Sequence, residues 1–121
     1  MESVACPVHT VGCGLVASMA SVILACGDHR SLYARSHMLI HQLLSGVGMA
    51  QQSDIGIVAE QASALRDSLD ELLAEHSSMD RATVHAITER DCWLTAPRAL
   101  ELGLIDEVID PVEKNLAAPA R

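Results

Sequence analysis

A serine in an uncharged segment is the first residue of this sequence that could do chemistry. Ser18 lies within residues 14–27, which read G-L-V-A-S-M-A-S-V-I-L-A-C-G and contain no charged side chain. Because it follows an apolar stretch and a G-C-G turn, we expect it in the first turn of a helix. Backbone N–H groups and the positive end of the helix dipole favour developing negative charge there. The position suits a nucleophile, although a capping or buried serine is the simpler explanation of position alone.

A serine nucleophile needs a base and an acid that orients the base. The chain has six histidines, and spacing alone does not say which of them would serve. The segment is also not the G-x-S-x-G elbow, because Val16 and Ala20 stand where that motif has glycines. The residue types therefore permit a catalytic triad without assigning it.

Composition argues against several other classes of function. The net charge is −8 and no basic stretch is present, which disfavours a nucleic-acid groove or an anionic membrane surface as partner. Residues 11–27 are uncharged over a length near the lower limit for a membrane span. No Lys or Arg precedes them, and glycines and serines dilute the run, so we expect neither a signal peptide nor a span.

Metal and cofactor sites are not expected. The four cysteines form no C-x-x-C pair, so they are expected to be reduced and partly buried. His37 and His41 are four residues apart, but H-M-L-I-H lacks the glutamate of a metalloprotease helix.

The elements that must position such residues follow an α/β order. At 121 residues the chain forms one domain, expected over residues 1–110, with residues 111–121 as a disordered tail. Strand and helix patterns alternate in the way that crossover connections require. The expected elements are strands at 4–13, 31–34, 37–42 and 104–109, helices at 17–25 and 80–89, a helix starting at Thr95, and a loop at 43–51.

A long helix is the clearest single element. Six apolar residues recur at spacings of three and four, the period of one helix face: Ile55, Val58, Ala62, Leu65, Leu69 and Leu72. Running from about Asp54 to His76, the helix is long for so small a domain, so its far end should protrude or pack on a partner. The acidic residues of this helix are interpreted as a solvated face, namely Asp67, Asp70, Glu71 and Glu75.

Several motifs resemble those of the Clp protease proteolytic subunit (ClpP) family. Residues 14–20 resemble its nucleophile motif G-x-A-A-S-M-G, and residues 37–42 resemble R-x-M-I-H-Q, which holds its catalytic histidine. Residues 88–99 resemble T-E-R-D followed by L-S-A-x-E-A, and residues 103–106 match the closing G-L-V-D. The motifs occur in the family's order and close to its spacing, so the resemblance covers nearly the whole chain.

The resemblance implies a serine peptidase and assigns roles. Ser18 would be the nucleophile, His41 the general base and Asp91 the carboxylate that orients it, while Met19 would give a backbone N–H to the oxyanion hole. The substrate peptide would pair with a segment containing Gly46, Val47 and Gly48, and subunit contacts would involve Leu65, Leu69 and Arg90.

The resemblance also implies an architecture and partners. It implies the ClpP/crotonase-like β/α spiral fold with a protruding handle helix, in a cytoplasmic homo-oligomeric or mixed ring that degrades unfolded polypeptides with an AAA+ ATPase unfoldase. No cofactor is implied, and neither nucleic acid nor membrane is expected as partner.

Two departures from the family keep alternatives open. Only the C-terminal two-thirds of the family domain is represented, so strands and one oxyanion donor are expected to be missing; one such donor contributes about 2.7–4 kcal/mol to transition-state stabilisation. The motif also ends in Ala20 rather than glycine. The chain could therefore be a catalytically impaired subunit that co-assembles with full-length homologues. A weaker alternative, a crotonase-like enzyme acting on acyl thioesters, is disfavoured by the Ser-His-Asp pattern.

Overall fold

Ten helices and strands form the described part of the chain. The computed structural model describes residues 1, 3–44, 46 and 48–110, and the expected tail at 111–121 lies outside these residues. In chain order the elements are β1 (His9–Gly12), β2 (Leu15–Ala17), α1 (Met19–Ala25), β3 (His29–Tyr33), β4 (His37–Ile40), α2 (Gln52–Glu75), α3 (Arg81–Thr88), β5 (Cys92–Thr95), α4 (Ala96–Glu101) and β6 (Glu107–Ile109).

The strands of the described part of the chain form two small sheets. The first has the order β1-β3-β6 and is parallel throughout. The second has the order β2-β4-β5, with β2 parallel and β5 antiparallel to the central β4. This mixture of parallel and antiparallel pairs with intervening helices confirms the α/β class expected from the sequence. The spiral arrangement of the ClpP/crotonase-like fold stays a prediction.

An aliphatic core lies between the sheets and the helices. Helix α1 contacts four of the strands and also α2, while α4 contacts β4, β5 and β6. The fully buried side chains are small or aliphatic and include Leu32, Met38, Ile40, Val84 and Leu104. A chain without phenylalanine therefore fills its core with branched aliphatic residues, methionine and alanine, which suits close packing of helices on sheets.

Two strands were not expected from the sequence. Strand β2 has three residues and β5 has four, too short to show a period. Residues 15–17 were interpreted as the turn and the beginning of the helix, but they pair with β4, and α1 begins only at Met19. The expected strand over residues 4–13 shortens to β1.

Helix α2 has the predicted length but not the predicted exposure. It has 24 residues, and at about 1.5 Å per residue it spans about 36 Å. Its last turns pack on the core through Leu69, Leu72 and the buried Leu73, whereas Ile55 and Leu65 are exposed. The protruding part is therefore the beginning of the helix rather than its far end. No helix in the described residues is long and apolar enough to cross a membrane.

A glycine closes the turn after α4. Gly103 has a φ of 69°, a left-handed conformation that side chains disfavour. A Cβ at this position would lie 2.6 Å from the backbone nitrogen of Ser78 and would also collide with the Ser78 hydroxyl. Both the backbone conformation and the close approach of the 76–80 loop therefore require glycine here.

We predict opposite effects of alanine at two glycines. Gly103→Ala should lower the free energy of unfolding by about 2 kcal/mol, through left-handed strain and the clash with Ser78. Gly56→Ala, in an exposed turn of α2 with open space around its Cα, should raise it by about 0.5–1 kcal/mol. Urea denaturation of both variants measures the difference, and a stabilised Gly103→Ala would contradict the described turn.

Candidate active site

The register of the second sheet brings three of the predicted residues to one end. Ala17, the last residue of β2, pairs with Leu39, and Ile40, the last residue of β4, pairs with Cys92, the first residue of β5. Ser18 and His41 therefore follow the carboxyl ends of two adjacent parallel strands. Asp91 directly precedes the antiparallel strand on the other side of β4, so it lies at this same end of the sheet. Such ends of open α/β sheets are where ligands bind.

Ser18 occupies a sharp turn between β2 and α1. Its φ is 58° and its ψ is −126°, a conformation that residues other than glycine rarely adopt. Its N–H donates to the Leu39 carbonyl at 2.9 Å, and its own carbonyl accepts from the N–H of Ser21 at 3.0 Å. Ser18 is thus the residue before the helix rather than part of its first turn. A strained strand-to-helix turn that exposes a serine is the geometry of a nucleophile elbow, here without the flanking glycines of the G-x-S-x-G motif.

A buried serine stabilises this turn through hydrogen bonds to the adjoining strands. Ser21 is fully buried, and its hydroxyl lies 2.9 Å from the Val16 carbonyl and 2.8 Å from the Leu39 carbonyl. These carbonyls belong to β2 and β4, so one side chain connects both strands to the first turn of α1. This role of Ser21 was not predicted, because a single serine in a helix shows no pattern that distinguishes it from other isolated polar residues.

Ser18 and His41 line one cavity. Its volume is about 150 Å³, and both side chains contribute to its wall. A cavity of about this size accepts a benzene molecule in an engineered apolar core. Most of the remaining lining is apolar and comes from α1, β4, the segment that follows β4, and α2, namely Met19, Val22, Ile40, Leu43, Leu44, Leu69 and Leu73. The cavity therefore has the size and character to hold one apolar side chain beside the serine.

His41 makes its hydrogen bond to its own neighbour. The Nδ1 atom lies 2.6 Å from the Gln42 backbone carbonyl, which only accepts, so Nδ1 carries the proton and Nε2 has a free lone pair. Within the described residues neither the Ser18 hydroxyl nor the Asp91 carboxylate is hydrogen-bonded to His41. Asp91 is exposed and lines a second cavity of about 430 Å³ together with His41 and Glu89. The two cavities thus meet at His41.

Two polar side chains of α2 form one wall of the first cavity. Arg66 donates to the Gln42 side-chain oxygen and to the Glu89 carboxylate, both at 2.8 Å. Asp70 also lines the cavity and is only 3% exposed, so its interpretation as part of a solvated face is wrong. Its Oδ2 lies 2.6 Å from His85 Nδ1, and this pairing compensates the burial of the carboxylate. A carboxylate that lies one turn after an arginine and beside an apolar stripe is the sequence signal that could have identified this pair.

The hydrogen bond from Arg66, and then its positive charge, lower the pKa of Glu89 from its ordinary value. Because the pKa is lowered in the folded chain, the stabilising pair is complete above the ordinary pKa of a glutamate, about 4.3. It is lost as the pH falls through the lowered value. The contact between Arg66 and Glu89 is therefore ionic at neutral pH.

The other predicted site residues lie as follows. Met19 is exposed at the cavity, and Gly46 and Gly48 are exposed with open space around them, while Val47 lies outside the described residues. Arg90 is exposed beside Asp91, and Leu69 is half-buried at the cavity. Nothing in these positions tests the roles that the resemblance assigns to them, which stay predictions.

The described residues offer no cluster of metal ligands at the site, and the cysteine beside Asp91 is not a thiolate. Among the described residues no group of three or more His, Cys, Asp or Glu side chains could hold a metal ion. Burial raises the pKa of the Cys92 thiol, against a smaller opposite effect of Arg98, so this cysteine next to Asp91 is protonated at neutral pH. Ser18, which is exposed, therefore stays the predicted nucleophile.

Comparison with known proteins identifies the family. A family model described as Clp protease matches residues 1–112. The chain therefore belongs to the Clp protease family, which confirms the resemblance found in the sequence motifs.

Individual relatives agree with this assignment. The chain is 40% identical over 112 residues to the ATP-dependent Clp protease proteolytic subunit of Leuconostoc citreum, covering 90% of this chain and 56% of that protein. It is 44% identical over 105 residues to the ATP-dependent Clp protease proteolytic subunit 2 of Treponema denticola, covering 84% of this chain and 52% of the relative. The corresponding subunit of Porphyromonas gingivalis is 38% identical over 117 residues, with 95% and 51% coverage. The chain thus spans about half the length of these curated relatives.

The strained turn at Ser18 leads to a prediction about stability. Ser18→Gly should be more stable than Ser18→Ala by about 1 kcal/mol, because glycine adopts the positive φ without a Cβ penalty. At Ser63, on the exposed face of α2, the order should reverse, with glycine less stable than alanine by about 0.5–1 kcal/mol. Urea denaturation of the four variants measures both differences. Finding alanine more stable than glycine at position 18 would argue against the strained turn.

Proposed function

We propose that this chain is a subunit of a ClpP-like serine endopeptidase that hydrolyses peptide bonds of unfolded proteins. Family membership supports a peptidase of ATP-dependent proteolysis as its biological setting. The single observation that carries the proposal is the shared cavity of Ser18 and His41 at the carboxyl ends of β2 and β4. The strained exposed turn at Ser18 supports its role as the nucleophile.

The proposed reaction follows an acyl-enzyme route. Ser18 Oγ attacks the carbonyl carbon of the scissile peptide bond while His41 Nε2 takes the hydroxyl proton. The backbone N–H of Met19 donates to the oxyanion of the tetrahedral intermediate. His41 then returns the proton to the leaving amine as the C–N bond breaks. Water hydrolyses the resulting ester with His41 again acting as base, which releases the acid product and regenerates the serine.

Asp91 is proposed to orient His41 during this reaction. A carboxylate at Nδ1 stabilises the imidazolium that forms when the serine loses its proton. Nδ1 has a single proton and can donate one hydrogen bond, which in the described arrangement goes to the Gln42 carbonyl. Asp91 therefore completes the triad only when that carbonyl releases Nδ1.

The substrate is proposed to bind as an extended chain. The segment containing Gly46, Val47 and Gly48 would pair with the peptide by strand addition, which gives affinity without sequence preference. The apolar cavity would then receive an apolar side chain of the substrate next to the scissile bond.

Assembly is proposed to use α2. The helix exposes Ile55, Ile57 and Leu65, an apolar surface that suits contact with another ClpP-like subunit. Leu69 and the exposed Arg90 would contribute at the ring contacts. The assembled ring would receive polypeptides in the cytoplasm from an AAA+ ATPase unfoldase.

Covalent labelling tests the proposed nucleophile. A fluorophosphonate probe should modify Ser18, and peptide mass spectrometry should locate the adduct there. Ser18→Ala should abolish labelling, and His41→Ala should slow it by about 10²–10⁴-fold, the usual contribution of a general base. Ser53→Ala, at an exposed serine of α2, is the matched control and should label at the unchanged rate.

The same assay distinguishes the subunit's activity from that of its partners. The chain is labelled alone and mixed with a full-length Clp proteolytic subunit whose own nucleophilic serine is alanine, so only Ser18 can react. Absence of labelling in both preparations would refute the enzyme; mixed rings without labelling would favour the co-assembling, impaired subunit.

A further inference from the structure

Gln42 links His41 to helices α2 and α3. Its backbone N–H donates to the Thr88 carbonyl at 2.7 Å, and its backbone carbonyl accepts from His41 Nδ1 at 2.6 Å. Its side-chain amide donates to the Glu89 carbonyl at 2.9 Å, while the amide oxygen accepts from Arg66. The residue that holds the imidazole is therefore fixed by both its backbone and its side chain.

Arg66 connects this residue to α2. One guanidinium nitrogen donates to the Gln42 side chain and the other to the Glu89 carboxylate, each at 2.8 Å. The Gln42 side-chain amide also donates to the Glu89 backbone carbonyl, so the three residues close a ring of contacts. A guanidinium holds its five N–H donors in one rigid plane and can bind both partners at once, which a lysine ammonium does not do with the same geometry.

A buried carboxylate holds Arg66 in turn. Asp70, one turn further along α2, lies 3.9 Å from Arg66 Nε and is 4% exposed in its side chain. It also accepts from His85 at 2.6 Å, and the Thr88 hydroxyl lies 3.5 Å away. The side chain of Arg66 is only 19% exposed, so the low local dielectric strengthens these contacts. Arg66 is thus held on one side by Asp70 and on the other by Gln42 and Glu89.

We propose that Arg66 is a positioning residue for His41, acting through Gln42. The proposal rests on the proposed function of His41 as general base. By fixing the Gln42 side-chain amide, Arg66 also fixes the backbone carbonyl that accepts the hydrogen bond from His41 Nδ1. This keeps the imidazole at the cavity of Ser18, in the tautomer whose Nε2 accepts a proton. A small displacement of a catalytic group is costly, since misplacement by about 1 Å lowers rates by about 10²-fold.

A neighbouring ion pair provides the matched control. Arg81 and Asp67 also connect α3 to α2, at 2.6 Å, but both side chains are more than half exposed and neither contacts Gln42. A purely structural role of Arg66 in holding the two helices together would be shared by this pair. Arg81→Met therefore separates helix docking from positioning of His41.

The first readout is the rate at which a fluorophosphonate labels Ser18. Arg66→Met should slow labelling by about tenfold, and Arg66→Lys should restore only part of the rate, because it keeps the charge but not the planar pair of donors. Arg81→Met should label like the unmodified chain. Gln42→Met removes the same link from the other end, so the double variant Arg66→Met/Gln42→Met should be no slower than the slower single variant.

The second readout is the tautomer of His41, followed by ¹⁵N NMR of the imidazole and assigned with His41→Gln. The unmodified chain should show a protonated Nδ1 and a bare Nε2. Arg66→Met and Gln42→Met should shift this signature toward a mixture of tautomers, and Arg81→Met should leave it unchanged. Circular dichroism checks folding. If Arg66→Met does not fold, the single variants Gln42→Met and Arg66→Lys are used to test the proposal.

The two readouts separate the two proposals. A changed tautomer in Arg66→Met without any labelling of the unmodified chain would support positioning and refute the peptidase. Labelling of the unmodified chain with equal effects of Arg66→Met and Arg81→Met on rate and tautomer would overturn positioning and leave the peptidase intact. Additive effects of Arg66→Met and Gln42→Met would also overturn it, since they would show that Arg66 acts by another route.

Discussion

The pairing of β4 with both β2 and β5 is the interaction on which the candidate site depends. Ser18, His41 and Asp91 are far apart in sequence, and each lies directly beside the end of one of these three strands. A slip of one residue in either ladder would turn the adjoining side chains to the other face of the sheet. The site is thus defined by strand register, and the short strands are fixed by buried contacts such as those of Ser21, whose hydroxyl reaches both β2 and β4.

Helix α2 supplies the polar wall of the candidate site. Asp70 is almost fully buried beside an apolar cavity, where a carboxylate needs a polar partner. His85 hydrogen-bonds to it, Arg66 lies at ion-pair distance from it, and Arg66 extends the network to Gln42. The packed end of α2 therefore does two things. Leu69 and Leu73 line the cavity, while Arg66, paired with Asp70, donates to the side chain of Gln42 next to His41.

Much of this organisation was predictable, and the exceptions have physical reasons. Periodicity located α2 because its apolar stripe runs over many turns. The helix expected at 80–89 corresponds to α3, whose Asp80 side chain caps it by accepting from Thr83. Strands β2 and β5 were missed because three or four residues cannot show an alternation, and β2 merges with the apolar helix that follows. The motifs predicted Ser18, His41 and Asp91 as site residues, and their catalytic roles stay predictions. The burial of Asp70 was missed because it depends on partners in α3, although its place one turn after an arginine and beside an apolar stripe was a signal for it.

The hydrogen bond from His41 to Gln42 determines the tautomer of His41 and the acceptor at its Nδ1 atom. A backbone carbonyl at Nδ1 selects the same tautomer as a carboxylate would, so Nε2 is ready to take a proton from Ser18. A neutral carbonyl, however, stabilises the imidazolium less than a carboxylate does, since hydrogen bonds between charged partners are the stronger ones. Asp91 is exposed and must give up water to replace the carbonyl, whereas the Gln42 backbone is held by Thr88 and its side chain by Arg66. In the proposed reaction, the contacts that keep His41 in the correct tautomer would therefore also oppose a hydrogen bond from Nδ1 to Asp91. The balance between these two acceptors would determine how much negative charge supports the proposed base.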